Sequence, residues 1–218
     1  KKYFVYALIK DKNDNKKFKK IYNLKIFNGD VNNLSVINKI FLYAKKNQRT
    51  ISYLVNNAGI RHREQFLKIK QKKLKSIFQT NFFSIFQIMQ IFSQILIKKK
   101  MRGSIINVSS IVGQIGFSEL SAYASSKAAL IALTKSYAAE MSNFNIRINC
   151  VSPGFTETSY FEKFKKKKKL YNWTLSRIPM KRWGKSSEVA NLIAFLISDN
   201  SEYINGENIN IDGGWLSS

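Results

Sequence analysis

Tyr123 and Lys127 stand four residues apart in Tyr123-Ala-Ser-Ser-Lys127, and Ser110 lies thirteen positions upstream. On a helix, side chains four apart sit one above the other on the same face, so the phenol and the ammonium would share one site. A phenol ordinarily ionises near pH ~10, and a fixed positive charge beside it stabilises the phenolate. The pair is therefore expected to lower the Tyr123 pKa and to supply a proton donor and acceptor for a carbonyl or an alcohol. Alone, a Tyr and a Lys at this spacing are an ordinary couple on a solvent-facing helix. Ser110 gives them weight, because it closes Ser104-Ile-Ile-Asn-Val-Ser-Ser110, an apolar β-branched run of the kind that forms a buried strand. In open α/β sheets ligands bind beyond the carboxyl ends of the strands, where this hydroxyl would be delivered.

The elements that must position these groups alternate along the chain. Residues 2–9 read as a strand rich in aromatic and β-branched side chains, followed by a polar turn, a short lysine-rich helix and a second strand over 23–27. Residues 33–47 carry Leu34, Ile37, Ile40, Phe41 and Ala44 at helical spacing, and 51–55 form a short buried strand. The next helix, 74–98, bears Ile77, Phe78, Phe82, Phe83, Ile85, Phe86, Ile88, Met89, Ile91, Phe92, Ile95 and Leu96. That load exceeds one narrow stripe, so the helix is expected to bury one side on the sheet and another against a second subunit. After the Tyr123 helix come a strand over 146–151, a polar lysine-rich segment over 157–180, a capped helix over 187–197 and a last strand over 207–211.

With 218 residues the chain is expected to form one domain with a real core. No apolar run is read as long enough for a membrane span. The single cysteine, Cys150, falls in an apolar strand and is expected to be a buried thiol, in keeping with a reducing cytoplasm. The 37 Lys and Arg against 13 Asp and Glu leave a net charge of +24. The excess sits in runs such as 98–100 and 165–169 without a nucleic-acid motif, so it is read as solvated lysine; no metal set is expected.

Ser110, Tyr123-x-x-x-Lys127, Asn56-Asn57-Ala58-Gly59, Thr80-Asn81, Pro153-Gly154 and Asp212-Gly213-Gly214 together resemble the classical short-chain dehydrogenase/reductase family, in order and over essentially the whole chain. The resemblance implies a Rossmann-type doubly wound parallel sheet in three α/β/α layers, and hydride transfer between a nicotinamide cofactor and a carbonyl/alcohol pair. It implies Ser110, Tyr123, Lys127 and Asn81 as the catalytic set, with Asn81 holding a water behind Lys127 and Lys127 also gripping the nicotinamide ribose. For the cofactor it implies Asp30 and Val31 at the adenine, Asn57, Ala58 and Gly59 by its ribose, and Pro153, Gly154, Thr156 and Thr158 at the carboxamide. Lys10, following the first strand, is read as a partner for a 2′-phosphate, favouring NADP(H) over NAD(H). Residues 157–180 resemble the family's mobile substrate lid, and Asp212 to Trp215 its subunit contacts; a homotetramer through 82–96 and 123–141 is expected.

Relatives open with a strand and a TGxxxGxG turn. None of the ten glycines here has that spacing, so the domain is expected to be N-terminally incomplete, a fragment of a longer protein or a truncated product. Within the family, Asn-Asn-Ala-Gly-Ile60, Pro-Gly-Phe155 and the closing Asp-Gly-Gly resemble 3-oxoacyl-[acyl-carrier-protein] reductases of fatty acid synthesis. Ile60-Arg61-His62-Arg63 and Arg182-Trp183-Gly184 resemble sugar-acid dehydrogenases such as gluconate 5-dehydrogenase. The acyl-carrier substrate is favoured, the sugar acid is the alternative, and a non-catalytic relic or scaffold is the alternative of another class.

Overall fold

The computed structural model describes residues 3–11, 13, 18, 21–158 and 161–217. Strands β1 (Val5–Ile9) and β2 (Leu24–Asn28) pair in parallel, and the segment read as a lysine-rich helix between them lies largely outside the described residues. Helix α1 (Leu34–Lys46) starts where the Asn33 side chain accepts from the Ser35 amide, and it buries Ile37, Ile40 and Ala44, its helical-period positions. Strands β3 (Tyr53–Asn56), β4 (Gly103–Val108), β5 (Ile146–Pro153) and β8 (Asn208–Ile211) form a second parallel sheet in the order β3-β4-β5-β8. Among the described residues no ladder joins β1 to β3, so the parallel strands form two separate sheets.

β4 is buried along its whole length, as its apolar run requires with helices on both faces. Because side chains alternate across a strand, Ile105 points to one layer and Ile106 to the other. Ile105, Ile146 and Ile148 pack under α3 (Ser84–Lys98) and α4 (Ser121–Met141) with Ile85, Met89, Phe92, Leu96 and Leu130. Ile106 and Val151 pack against Leu196 of α7 (Ser186–Ile197), with Val189, Leu192 and Ile193 beside them. The expected three-layer α/β/α arrangement is present.

The helix expected over 74–98 begins earlier, as α2 (Gln71–Phe78), and passes through a π-helical turn (Gln79–Phe83) before α3. This continuous run, Gln71–Lys98, is long and apolar enough by composition to cross a membrane, contrary to the sequence reading. Half of its apolar window is buried inside the protein, as in a core helix. Phe83 and Phe86 remain 49% and 39% exposed and form an aromatic cluster with Phe78 and Phe82.

The segment read as a polar lid folds into α5 (Phe161–Lys165) and α6 (Lys168–Arg177), turning Phe161 and Phe164 inward onto Trp183. A two-stranded pair, β6 (Thr156–Glu157) with β7 (Gly184–Lys185), ties the stretch after β5 to the start of α7. Trp215 is 4% exposed and packs within the chain against Phe155 and edge-on to Trp173 of the lid. The preceding turn needs its glycines: Gly213 and Gly214 take φ of +67° and +89°, and a Cβ on Gly213 would lie 2.8 Å from Ile178.

Candidate active site

β4 ends at Val108 and delivers Ser109 and Ser110 to the carboxyl edge of the sheet, where Ser110 stays extended at φ −167°. The chain then turns back over α4. Gly113 permits this, since a Cβ there would stand 2.9 Å from the Lys127 carbonyl carbon. The Ser109 hydroxyl donates to the Lys127 carbonyl at 2.9 Å, fastening the strand end to the helix. Ser110 and Tyr123 both line the cavity at this junction, and the Ser110 hydroxyl is near enough to the phenol to draw its pKa downward.

Lys127 is 4% exposed, and its Nζ donates to the Val108 carbonyl at 2.7 Å while lying 5.9 Å from the centre of the Tyr123 ring. Burial lowers its pKa to about 8. The effect expected on Tyr123 is reversed: burial pushes the phenol above its usual range, outweighing the Ser110 hydroxyl and the charge of Arg61, which pull it down. Desolvation is the physical reason, since the neutral phenol is the form an apolar setting favours.

Asn81 is fully buried in the π-helical turn. Its Oδ1 accepts from the Ile60 amide at 2.8 Å, and its Nδ2 donates to the Ile60 carbonyl at 3.0 Å and to the Ser126 hydroxyl at 3.0 Å. Ser126 in turn donates to the Tyr123 carbonyl at 2.7 Å. Asn81 thus staples the stretch after β3 to the second turn of α4. Alongside it, Asn56 donates to Asn107 at 2.8 Å and Asn107 to Thr134 at 2.9 Å, a buried polar chain crossing β3, β4 and α4.

A cavity of about 640 Å3 opens over the ends of β3, β4 and β5 and gathers Asn57, Ser110, Tyr123, Pro153, Gly154, Thr156 and Thr158. Ala58 and Gly59 are exposed beside it, and a Cβ on Gly59 would lie 3.4 Å from both Asn81 Oδ1 and Lys127 Nζ, so the glycine leaves a small cradle between them. Lys10, Asp30 and Val31 stand apart at the ends of β1 and β2 and do not line the cavity. The two residues assigned different tasks are paired with each other: Lys10 Nζ lies 2.6 Å from Asp30 Oδ2, and this ammonium holds the Asp30 carboxyl below its usual range.

Sequence reasoning did not place several residues that shape the site. Val189, Ala190 and Ile193 of α7 form one wall of the larger cavity. A second chamber of about 470 Å3 is lined by Arg61, Arg63, Phe117, Trp173, Arg177 and Trp215, among others. The two chambers share Arg61, Phe117, Phe155 and Phe164. Lid aromatics carry no motif; only their contrast with the lysines around them marked them. Among the described residues no group of three or more His, Cys, Asp or Glu side chains is placed to hold a metal.

Comparison with known proteins accords with this geometry. A family profile described as Enoyl-(Acyl carrier protein) reductase matches residues 3–216. The chain is 43% identical over 164 residues to the 3-oxoacyl-[acyl-carrier-protein] reductase FabG of Thermotoga maritima, covering 75% of this chain and 65% of that protein. It is 36% identical over 169 residues to 2-dehydro-3-deoxy-D-gluconate 5-dehydrogenase of Bacillus subtilis, covering 78% of this chain and 66% of that protein. The chain thus spans just under two thirds of the length of these relatives. A solved structure of 4-hydroxyisoleucine dehydrogenase complexed with NADH superposes with a TM-score of 0.91 at 31% identity, covering 99% of this chain and 89% of that one. By profile, relatives and fold, the chain belongs to the short-chain dehydrogenase/reductase family.

Proposed function

We propose that the protein is an NAD(P)(H)-dependent oxidoreductase that interconverts a carbonyl and an alcohol. The observation that carries this reading is the placing of Ser110 and Tyr123 together on the cavity over the strand ends, with the buried Lys127 ammonium 5.9 Å from the centre of the Tyr123 ring. The residues fit a nicotinamide cofactor. The cavity lies beyond the carboxyl ends of the strands, among the described residues no acidic side chain lines it, and the Gly59 cradle faces Lys127 Nζ. Asn57, Pro153, Gly154, Thr156 and Thr158 would hold the cofactor there, with Asp30 and Val31 at its far end. When bound, the cofactor supplies or accepts the hydride.

In reduction, Ser110 donates a hydrogen bond to the substrate oxygen and fixes the carbonyl against Tyr123. The phenol, kept neutral by its burial, hands its proton to that oxygen as the alkoxide develops. Lys127, with a pKa near 8, remains largely protonated at neutral pH and offsets the charge left on Tyr123. Asn81 holds the Tyr123 turn and the Ile60 backbone in register, and we assign it the water of the proton relay.

For the substrate we favour a 3-oxoacyl group borne on an acyl carrier protein, which the 43% identity to the Thermotoga reductase supports. The second reading, a sugar acid or related polyol, is favoured by the 36% identity to the Bacillus gluconate-type dehydrogenase. For the cofactor we favour NADP(H), with Lys10 leaving Asp30 to meet the 2′-phosphate. We place the protein in the cytoplasm, where Cys150 would stay a free thiol, and infer a homotetramer that covers Phe83 and Phe86. The test is turnover of acetoacetyl-carrier protein and of 5-oxogluconate with NADPH and with NADH. Higher kcat/KM for the acyl substrate with NADPH is expected, and activity on neither class with either cofactor overturns the enzyme reading.

A further inference from the structure

The smaller chamber holds more positive charge than proton transfer at Tyr123 requires. Arg61, Arg63 and Arg177 all line it, and among the described residues no acidic side chain lines either chamber. Arg63 is committed to Glu119 through a 2.7 Å ion pair, and Arg177 lies over the Trp215 ring at 5.4 Å. Arg61 differs from both. Among the described residues it makes no hydrogen bond or ion pair, and it borders both chambers. Its charge reaches Tyr123 and opposes the upward shift of that phenol, which puts a guanidinium in electrostatic range of the proton-transfer group.

A guanidinium presents a rigid fork of donors that matches a carboxylate or a phosphate, and charge-assisted bonds of this kind are among the stronger ones. Arg61 is exposed at an aromatic wall, so its guanidinium is open to an incoming anion. Phe117, Trp173 and Trp215 offer that wall, with Trp173 edge-on to both others, and the rings suit the apolar arm of a bound molecule. We propose that Arg61 is a specificity-determining residue that binds an anionic group of the substrate, a carboxylate or a phosphate, while the substrate carbonyl lies at Ser110 and Tyr123. The place given to the carbonyl rests on the oxidoreductase reading above; the anion site does not. A carboxylate would belong to a small oxo-acid, and a phosphate to a pantetheine arm.

The test compares the wild type with Arg61→Gln and Arg61→Lys. Intrinsic tryptophan fluorescence, which reports Trp173 and Trp215 in the chamber wall, is followed while succinate or inorganic phosphate is added. The wild type is expected to show a saturable change with at least one of them, weakened about tenfold or more in Arg61→Gln, as loss of a charge-assisted bond predicts, and partly restored in Arg61→Lys. The same proteins are assayed on acetoacetate against methyl acetoacetate, and on acetoacetyl-phosphopantetheine against acetoacetyl-pantetheine. The preference in kcat/KM for the charged member of one pair is expected to fall by a similar factor in Arg61→Gln. A fall in the first pair identifies a carboxylate, and a fall in the second a phosphate. No anion response in the wild type, an equal response in Arg61→Gln, or equal losses on charged and neutral substrates would each overturn the proposal. An intact anion response without turnover of any ketone would sustain the anion site and sink the oxidoreductase reading instead.

Discussion

Two buried groups at the site titrate in opposite senses. Lys127 has a folded pKa near 8 against an ordinary value of 10.5, so between these values the unfolded chain binds the additional proton and stability rises with pH. Cys150 has a folded pKa near 11 against 9.0, so above pH 9 the folded chain binds the additional proton and stability falls. Thermal midpoints should therefore climb from about pH 8 to 9 and level off as the two demands cancel. In Lys127→Met the climb should vanish and a decline above pH 9 remain; a variant that still climbs would show that Lys127 is not the buried cation. The spacing of Tyr123 and Lys127 was legible because the helical period places both at the end of β4. The direction of the Tyr123 shift was not, because it depends on desolvation, and spacing carries no information about how deeply a phenol is buried.

At the scale of elements, the π-helical turn around Asn81 joins two helices into one run and aims an amide at Ile60 and Ser126. Such a turn suits a site where a side chain must be re-aimed within a helix. Asn81→Ala removes three hydrogen bonds and leaves the Ile60 amide and carbonyl without that partner. It should lower the unfolding free energy by about 1–3 kcal/mol, measured by urea denaturation, with no change in helix content. An unchanged midpoint would show that water replaces the amide without cost. Asn81 was visible in the sequence as a polar residue in an apolar helix, but the extra residue of a π turn leaves no compositional mark. Lid aromatics were harder still. Phe117, Trp173 and Trp215 meet only through packing of segments some forty to a hundred positions apart, so periodicity within any one segment could not bring them together. Arg61 was legible as a sugar-acid-like motif and not as the wall shared by two chambers.

At the scale of the molecule, the parallel strands divide into a pair and a four-stranded sheet. β4 and β5 are almost wholly buried, whereas every described residue of β1 and β2 is partly or fully exposed. Amide exchange should therefore be fast for β1 and β2 and slow for β4 and β5; uniform protection would show that the two sheets open as one unit. The succession of the main strands and helices along the chain could be read in advance, because most strand runs stop at a turn residue and most amphipathic helices keep their period, whereas the division into separate sheets and the lid helices α5 and α6 could not, since both depend on contacts between distant segments. Exposure of Phe83 and Phe86 predicts an assembly larger than the monomer by light scattering, and a fully active monomer would contradict the tetramer. The central claim is that Tyr123 is the proton donor in carbonyl reduction. Its most direct test is Tyr123→Phe, assayed for NADPH oxidation with acetoacetyl-carrier protein alongside a binding titration of the cofactor. The account predicts cofactor affinity close to wild type with turnover lowered by about 10²-fold or more; turnover above about a tenth of wild type would contradict it.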